Sequence, residues 1–448
     1  MIEIPKQVSQ ALSMLEKEGY DAYIVGGCVR DNLIEKVPSD WDITTSAEPN
    51  QVMRVFEDYK TVETGIQHGT VTVIINHFHI EITTFRVEGK YTDNRRPDIV
   101  EFAKNVEDDL RRRDFTMNAI AYNENGFVDL FGGREDIEKR LIRAVGDPAE
   151  RFREDALRIL RAIRFSACLG FEIEENTRRA IFETKELLKN ISAERIGAEF
   201  NKLLMGEYAE KVLNEYAEII RVFIPEIGDS IGYAQNTKNH IYDVWHHITR
   251  AIGESEMILP VRLSLFFHDL GKPKCMVIGT DGNAHFGGHP RLGAEIAETV
   301  LRRLRYDTKT IKEVERLVFY HDTMIQPDEK NAKFWLGKLG YHTLMNLIKI
   351  RKADNLAKSS AAKFRYDEVV KFEKMVNKVI NDRSCYSLSQ LKISGSDLIK
   401  QGCSPGKELG EILEKLLNMV ISGDCENNKK ALIEAYKQTK KDAYNSPQ

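Results

Sequence analysis

Residues 23–45 read YIVGGCVRDNLIEKVPSDWDITT. An apolar run at 23–25 meets two glycines, an Arg–Asp pair follows, and Asp40 and Asp42 stand one residue apart. This pattern predicts a strand, a tight glycine turn, a helix start and a second strand. Gly26 and Gly27 let the backbone come close to a ligand. A helix starting near Cys28 turns free N–H groups toward phosphate, and Arg30 adds a planar fork of donors for phosphate oxygens. On a strand, residues i and i+2 share a face, so Asp40 and Asp42 are expected to point the same way. Two like charges there repel unless divalent cations sit between them, and hard oxygen ligands suit Mg²⁺. Phosphate on one side and paired carboxylates on the other point to phosphoryl or nucleotidyl transfer by two metals.

Working outward, the chain of 448 residues is too long for one ordinary core and allows three or four domains. A hydrophobic share of 42% supports buried cores, and 30% charged residues indicate a soluble protein. No apolar run reaches membrane-spanning length, and the acidic start MIEIPKQVSQ lacks the basic flank of a signal peptide. Six scattered cysteines indicate neither a zinc ribbon nor a disulfide framework, and fit a reducing cytoplasm. The net charge of −4 does not announce a nucleic-acid partner, so any RNA must meet a local basic surface, with strong salt dependence.

Apolar spacing predicts helices at 5–18 and 47–59 and strands at 70–75 and 78–85 joined at Asn76. Glu81 lies on the second of these strands, where it either completes a metal site with the aspartates or is an exposed strand residue. Residues 89–97, GKYTDNRRP, read as a loop carrying Arg95 and Arg96. The segment 108–122, DDLRRRDFTMNAIAY, has helical or nearly helical spacing. Its arginines are either a solvated face or a triphosphate clamp. A strand, a glycine turn and a helix at 127–146 close the α/β part, and from Pro148 the chain reads as nearly all helix.

FREDALRILRAIRFSACLGF, residues 152–171, predicts one long helix with Asp155 and Arg158 on one face. A carboxylate accepts from an exocyclic amine, and a guanidinium donates to a ring nitrogen or carbonyl. Cytosine and adenine both present an amine beside an acceptor; guanine and uracil present the reverse. One such pair accepts C and A and rejects G and U, by about 10⁴-fold where polar groups are left unpaired.

A second centre stands out by composition. Eight of the eleven histidines fall between His240 and His342, seven of them in NHIYDVWHHITRAI, LFFHDLGKP, HFGGHPRLGAE and LVFYHD, and IRKADNLA follows. Singly, each reads as an ordinary core or surface residue. Together, His247, His268, Asp269, His289, His321 and Asp354 are an ordered set of metal-ligand types.

Residues 23–45 resemble motif A of the class II tRNA nucleotidyltransferase and poly(A) polymerase family, within the polymerase-beta-like nucleotidyltransferases. That family commonly has a glycine and a basic residue ahead of the Asp pair, where this chain has Glu35 and Lys36. Arg112, Arg113 and Asp114 match the family's Arg-Arg-Asp motif, in which the Arg meets the nucleotide and the Asp the ribose. Glu154, Asp155 and Arg158 match its Glu-Asp-x-x-Arg protein template, with Arg161 supporting the base. The histidine set resembles the HD phosphohydrolases: His247, His268, Asp269 and Asp354 match the core ligands, and His289 and His321 the additional ones. Residues 393–436 resemble the C-terminal segment of the Gram-positive bacterial enzymes, with Lys429, Lys430, Lys437, Lys440 and Lys441 available to tRNA phosphates.

The resemblance implies an α+β protein. A nucleotidyltransferase head with a mixed sheet (1–146) precedes an all-α neck and body (147–235), an HD domain (236–360) and a tail (361–448). It implies template-independent addition of C, C and A to the tRNA 3′ end from CTP and ATP. Asp40 and Asp42 would hold Mg²⁺, and Gly26, Gly27, Arg30, Arg112 and Arg113 would hold the nucleotide. The HD part would use Mg²⁺, Mn²⁺, Ni²⁺ or Fe²⁺ on 2′,3′-cyclic or 2′-phosphate ends of RNA. Alternatives are a poly(A) polymerase, an enzyme adding only the final A, and an RNA-binding protein with decayed centres. GIQHGTV at 65–71 leans toward the CCA type, and the 89–97 loop argues against a CC-only enzyme. Monomer and homodimer are both open.

Overall fold

The computed structural model describes residues 2–63, 65–66, 69–88, 100–236, 241–280 and 282–445. The 89–97 loop with Arg95 and Arg96, residues 67–68 of GIQHGTV, and His240 lie outside the described residues. The chain divides into two compact units, Met1–Pro225 with Arg303–Tyr306, and Glu226–Arg302 with Asp307–Gln448.

The first unit is built on a mixed sheet, as expected. Its strands are β1 (Ala22–Val25), β2 (Asp42–Thr45), β3 (Lys60–Val62), β4 (Thr70–Ile75) and β5 (Phe78–Thr84), then β6 (Arg86–Glu88), β7 (Val100–Phe102), β8 (Ala121–Asn123) and β9 (Gly126–Val128). Among the described residues, seven of these pair in the order β3-β4-β5-β2-β1-β8-β9, while β6 and β7 form a separate ribbon. Only the β2–β5 pairing in the seven-stranded sheet is parallel. The β4–β5 turn has Asn76 and His77 both at positive φ (49° and 66°), the twist that a two-residue hairpin needs. Val71, Val73, Ile80 and Ile82 bury one face, and alternation sends Glu81 to the other.

Three expectations change. The strand β2 begins at Asp42, so Asp40 stands just ahead of it and not on it. The 108–122 segment is not one helix: Val106–Arg111 is helical, Thr116–Asn118 forms one tight turn, and β8 starts at Ala121. The long helix at 152–171 is two helices, Pro148–Glu154 and Leu157–Leu169. Asp155 breaks them, with φ −133° and ψ 101°, and its Oδ1 accepts from the Leu157 N–H at 3.1 Å. An aspartate side chain competes for backbone donors and favours such an end over a helix interior.

The second unit is largely helical, with a short hairpin of Val277–Ile278 and Ala284–His285. Trp245 and Phe266 meet edge to face in its core, ring centroids 5.7 Å apart. The proposed boundary at 360 falls between helices Tyr341–Leu356 and Lys363–Asn381, which pack against each other. Leu398, Leu416, Leu432 and Tyr436 form a separate core in the tail. No helix among the described residues is long and apolar enough to cross a membrane.

Glu35 occupies the left-handed region (φ 58°), which favours glycine. A side chain there costs about 1–2 kcal/mol, and glycine gives back about 0.5–1 through the unfolded chain. Glu35→Gly is therefore expected to stabilise the first unit by about 0.5–1 kcal/mol, measured as a raised urea midpoint.

Candidate active sites

At the end of β1 the chain turns at Gly26 (φ 80°, ψ −130°) into the short helix Gly27–Leu33. A Cβ on Gly26 would sit 3.1 Å from Arg113 Nη1 and 3.9 Å from Asp42 Oδ2. Glycine is thus required both for the turn and for this close approach. The parallel register of β2 and β5 sets Asp42 opposite Glu81. Asp40, exposed, accepts from Ser39 Oγ at 2.9 Å. Burial pushes the Asp42 carboxyl up to about 6, with Asp40 and Glu81 adding repulsion and Arg113 opposing them. Three carboxylates of one sign around a half-buried strand end form an oxygen donor set that fits a hard divalent cation such as Mg²⁺.

The arginines expected at phosphate are anchored from behind. Asp109, fully buried, accepts from Arg112 Nε (2.9 Å) and Nη2 (2.7 Å) and from Arg113 Nη2 (3.0 Å). Burial alone would raise its pKa, but Arg113 and Arg112 outweigh burial and hold it below the usual range. The Nε of Arg113 is a buried donor without a hydrogen-bond partner. Sequence reasoning missed Asp109, although its spacing three and four residues before the arginines was a readable signal.

Arg30 departs from expectation. Its Nε and Nη2 donate to Asp31 Oδ1 (2.9 and 2.7 Å) and its Nη1 donates to Asn118 Oδ1 (2.7 Å), so the fork is committed inside the protein. Asp114 is likewise engaged: Arg161 donates to Oδ2 from Nε (2.8 Å), while Asn118 Nδ2 (3.0 Å) and the Phe115 N–H (2.8 Å) donate to Oδ1. Despite burial, Arg161 and Asn118 hold the Asp114 carboxyl well below the usual carboxylate range.

Asp155 and Arg158 are not partners of each other in these contacts. Asp155 Oδ2 accepts from Arg195 Nη2 at 2.9 Å. Arg158 donates to Glu154 Oε2 (2.7 Å), the Arg151 carbonyl (3.2 Å) and the Arg112 carbonyl (2.8 Å). The pair is therefore mounted separately, one side chain on the helix break and one inside the next helix. Arg195, which steadies Asp155, comes from helix Ala193–Leu204 and carried no recognisable signal in the sequence.

In the second unit the histidine set comes together. His247 lies on helix Val244–Gly253 and is buried, while its neighbour His246 turns outward to Asp243 Oδ2 (2.7 Å). His268 and Asp269 follow helix Leu259–Phe267, His289 opens helix His289–Arg303, His321 ends helix Thr308–Tyr320, and Asp354 lies on Tyr341–Leu356. His247 Nε2 is 3.0 Å from Asp354 Oδ1 and 3.4 Å from His268 Nε2. His289 Nε2 is 3.3 Å from both Asp269 Oδ1 and His321 Nε2.

Among the described residues, two groups have ligand atoms all within 4.8 Å of one another: His247, His268 and Asp354, and His268, Asp269 and His321. The head carboxylates form no such group. His268, His289 and His321 each point Nδ1 at the carbonyl three residues back, Leu265 (2.6 Å), Phe286 (2.8 Å) and Val318 (2.6 Å). That backbone acceptor favours the proton on Nδ1 and turns the Nε2 lone pair inward, as a metal ligand requires. Burial pushes His247 and His321 down. Burial also opposes the charge on His268, but Asp269 and Asp354 push it up to about 9. Asp269 and Asp354 lie well below the usual range despite burial, through His268 and Lys272 for the first and Lys358 and His247 for the second. Mixed imidazole and carboxylate donors at these separations fit one or two divalent ions, whose binding would displace the His268 proton.

In the tail, Lys429 pairs with Asp397 (2.7 Å) and Lys440 donates to the Gly402 carbonyl (2.9 Å), whereas Lys430, Lys437 and Lys441 are exposed.

A family model described as "Poly A polymerase head domain" matches residues 22–143. One described as "Probable RNA and SrmB- binding site of polymerase A" matches 170–229, and a model of tRNA nucleotidyltransferase domain 2 matches 291–436. The chain is 34% identical to the CCA-adding enzyme of Lactobacillus delbrueckii subsp. bulgaricus, over 96% of this chain and 97% of that one. It is also 34% identical to the CCA-adding enzyme of Streptococcus pneumoniae, over 98% and 100% of the two chains. The solved CCA-adding enzyme of Bacillus stearothermophilus, in complex with CTP, superposes with a TM-score of 0.72 at 28% identity, covering 98% of each chain. The fold and the matching head model define a nucleotidyltransferase of the class II poly(A) polymerase type. Within that class, the chain belongs to the family of CCA-adding enzymes.

Because the folded protein favours neutral Asp42, its charge is destabilising above about pH 6, and the penalty fades as pH falls toward 3.8. Asp42→Asn is expected to raise the melting temperature of the metal-free protein at pH 8, with a gain of up to about 3 kcal/mol. The gain should vanish near pH 4. Added Mg²⁺ should raise the melting temperature of the parent protein more than that of Asp42→Asn.

Proposed function

We propose that this chain completes the 3′ end of tRNA, adding C, C and A from CTP and ATP without a nucleic-acid template. The observation that carries this reading is the register that sets Asp42 opposite Glu81, beside Arg113 and the Gly26 turn and near enough to Asp40 to feel its charge, in a head that aligns with CCA-adding enzymes. Asp40 and Asp42, with Glu81 alongside, would hold Mg²⁺; when bound, it would activate the 3′ hydroxyl and offset charge on the phosphates. Arg112 and Arg113, fixed by Asp109, face the triphosphate, and the unpartnered Nε of Arg113 is a donor ready for a phosphate oxygen. Gly26 leaves room for that approach. Asp155, steadied by Arg195, and Arg158, steadied by Glu154, read the base edge. Asp114 and Arg161 brace the floor of this pocket, and Arg30 serves as an internal strut. The work divides among a catalytic head (1–146), a base-selecting neck and body (147–235), an HD domain (236–360) and a tRNA-binding tail (361–448). A reducing cytoplasm suits the six free cysteines.

The second centre is read as a metal-dependent phosphohydrolase acting on 2′,3′-cyclic or 2′-phosphate ends of RNA. His247, His268, Asp269 and Asp354 would be its core ligands, with His289 and His321 beside them. The convergence of their ligand atoms supports this. A bound divalent ion would lower the pKa of water and supply hydroxide. A blocked end must be cleared before it can be extended, so the two centres serve one purpose.

The deciding assay supplies tRNA lacking one, two or three terminal nucleotides with CTP, ATP or both. Addition of only the missing residues is expected; a long A tail, or A added only to tRNA ending in CC, overturns the reading. Asp155→Ala should raise UTP use relative to CTP by roughly 100-fold or more in kcat/KM, since the rejecting acceptor is gone. His268→Ala should abolish phosphoester hydrolysis while the rate of nucleotide addition holds.

A further inference from the structure

The cavity over the imidazole cluster measures about 560 Å³, within the range of single small-ligand sites. Its wall carries three carboxylates, Asp269, Asp322 and Asp354, and three cations, Lys272, Lys358 and Arg365. Two pairings are direct: Lys272 Nζ lies 2.6 Å from Asp269 Oδ2, and Lys358 Nζ lies 2.5 Å from Asp354 Oδ2. All four of these side chains are nearly fully buried, so neither lysine can swing away without stranding a carboxylate. Arg365 is exposed at the rim, and no carboxylate among the described residues lies within 4 Å of it.

With the ligating histidines neutral, as metal binding requires, these six charges cancel. A divalent ion on the cluster then leaves at least two uncompensated positive charges, since the largely buried Arg351 also interacts with Asp354 and Asp322. A phosphomonoester near neutral pH carries close to two negative charges, whereas a 2′,3′-cyclic phosphate carries one. We infer that the second centre selects a terminal ribose phosphomonoester over a cyclic phosphodiester, with Lys358 and Arg365 as the residues that set the preference. This rests on reading the centre as a metal-dependent phosphohydrolase, and it narrows the substrate class.

Lys272 Nζ is shared between Asp269 and Gln235 Oε1 (2.7 Å), whereas Lys358 has three N–H donors and spends part of that capacity on Asp354. The remainder, with the Arg365 fork, suits the non-bridging oxygens of a monoester. In the hydrolysis, a water oxygen forms the new P–O bond and the bond from phosphorus to the ribose oxygen breaks. One water proton ends on the ribose hydroxyl, and the other stays with the released phosphate.

The test uses the full-length protein loaded with Mn²⁺. Adenosine 2′-monophosphate is expected to exceed adenosine 2′,3′-cyclic phosphate by about 10-fold or more in kcat/KM at pH 7.5, given one extra charge against the buried ion. Arg365→Gln should erode that preference chiefly through KM, and Lys358→Gln should do the same if it folds. Calorimetry gives a readout free of turnover. Inorganic phosphate should bind the Mn²⁺-loaded protein and bind Arg365→Gln about 10-fold more weakly, with Mn²⁺ affinity unchanged in that variant. Equal or faster turnover of the cyclic ester overturns the inference and leaves the hydrolase reading standing. An undiminished preference in Arg365→Gln overturns the role given to that residue. Arg365-dependent phosphate binding without turnover of either ester supports the anion selectivity and removes the hydrolase reading.

Discussion

Repulsion among like charges, held in place by backbone pairing, is the constraint on which the first unit depends. Asp42 and Glu81 face each other because β2 and β5 pair in parallel register. Asp40 is delivered from the segment just ahead of β2. The sheet is held by hydrophobic residues on its other face, Ile43, Val71, Val73, Ile80 and Ile82, so their burial offsets the cost of crowding the acids. A site that is unfavourable when empty gains most when a cation binds. The raised pKa of Asp42 is the local sign of that stored cost.

The second unit handles the same problem in the opposite way. There each carboxylate of the metal-ligand set has its own buried lysine, Asp269 with Lys272 and Asp354 with Lys358. Three of the imidazoles are oriented by backbone carbonyls, two of them, Leu265 and Val318, in the last turn of a helix. The histidine cluster therefore stands assembled, with ligand atoms already at close range. Among the described residues the head carboxylates form no such close group. The difference follows from the supports. Helix termini leave carbonyls unsatisfied and available to a ring N–H, whereas a strand end offers carboxylates no such anchor.

Arginines around the nucleotide pocket show a related economy. Arg112 and Arg113 hang from Asp109, Arg161 from Asp114, Arg164 from Glu199 and Arg195 from Asp155. Phe165 lies beneath Arg30, Arg161 and Arg164, whose guanidinium carbons are 5.0, 5.4 and 3.7 Å from its ring centroid. Buried acids and one aromatic face hold the cations in fixed orientations, so less side-chain entropy is lost when phosphate and base arrive.

Much of this was legible in the chain alone, because some signals are local. Alternation over 70–75 and 78–84 and the Asn76 turn dictate the hairpin, since pleat and turn sterics act between neighbours. Gly26 with Asp40 and Asp42, and the ordered histidines, stood out by residue type, and the fold brings the histidines together. Tertiary structure alone decided which charges meet. It committed Arg30 to Asp31 and Asn118, gave Asp155 to Arg195, and broke the 152–171 helix at the point where Asp155 caps the next one. It set Glu81 beside Asp42 through a parallel pairing that no local pattern encodes. The physical reason is range: backbone propensities are settled within a few residues. A carboxylate's partner is settled by whichever cation the packed core brings within about 4 Å of it, often dozens of residues away.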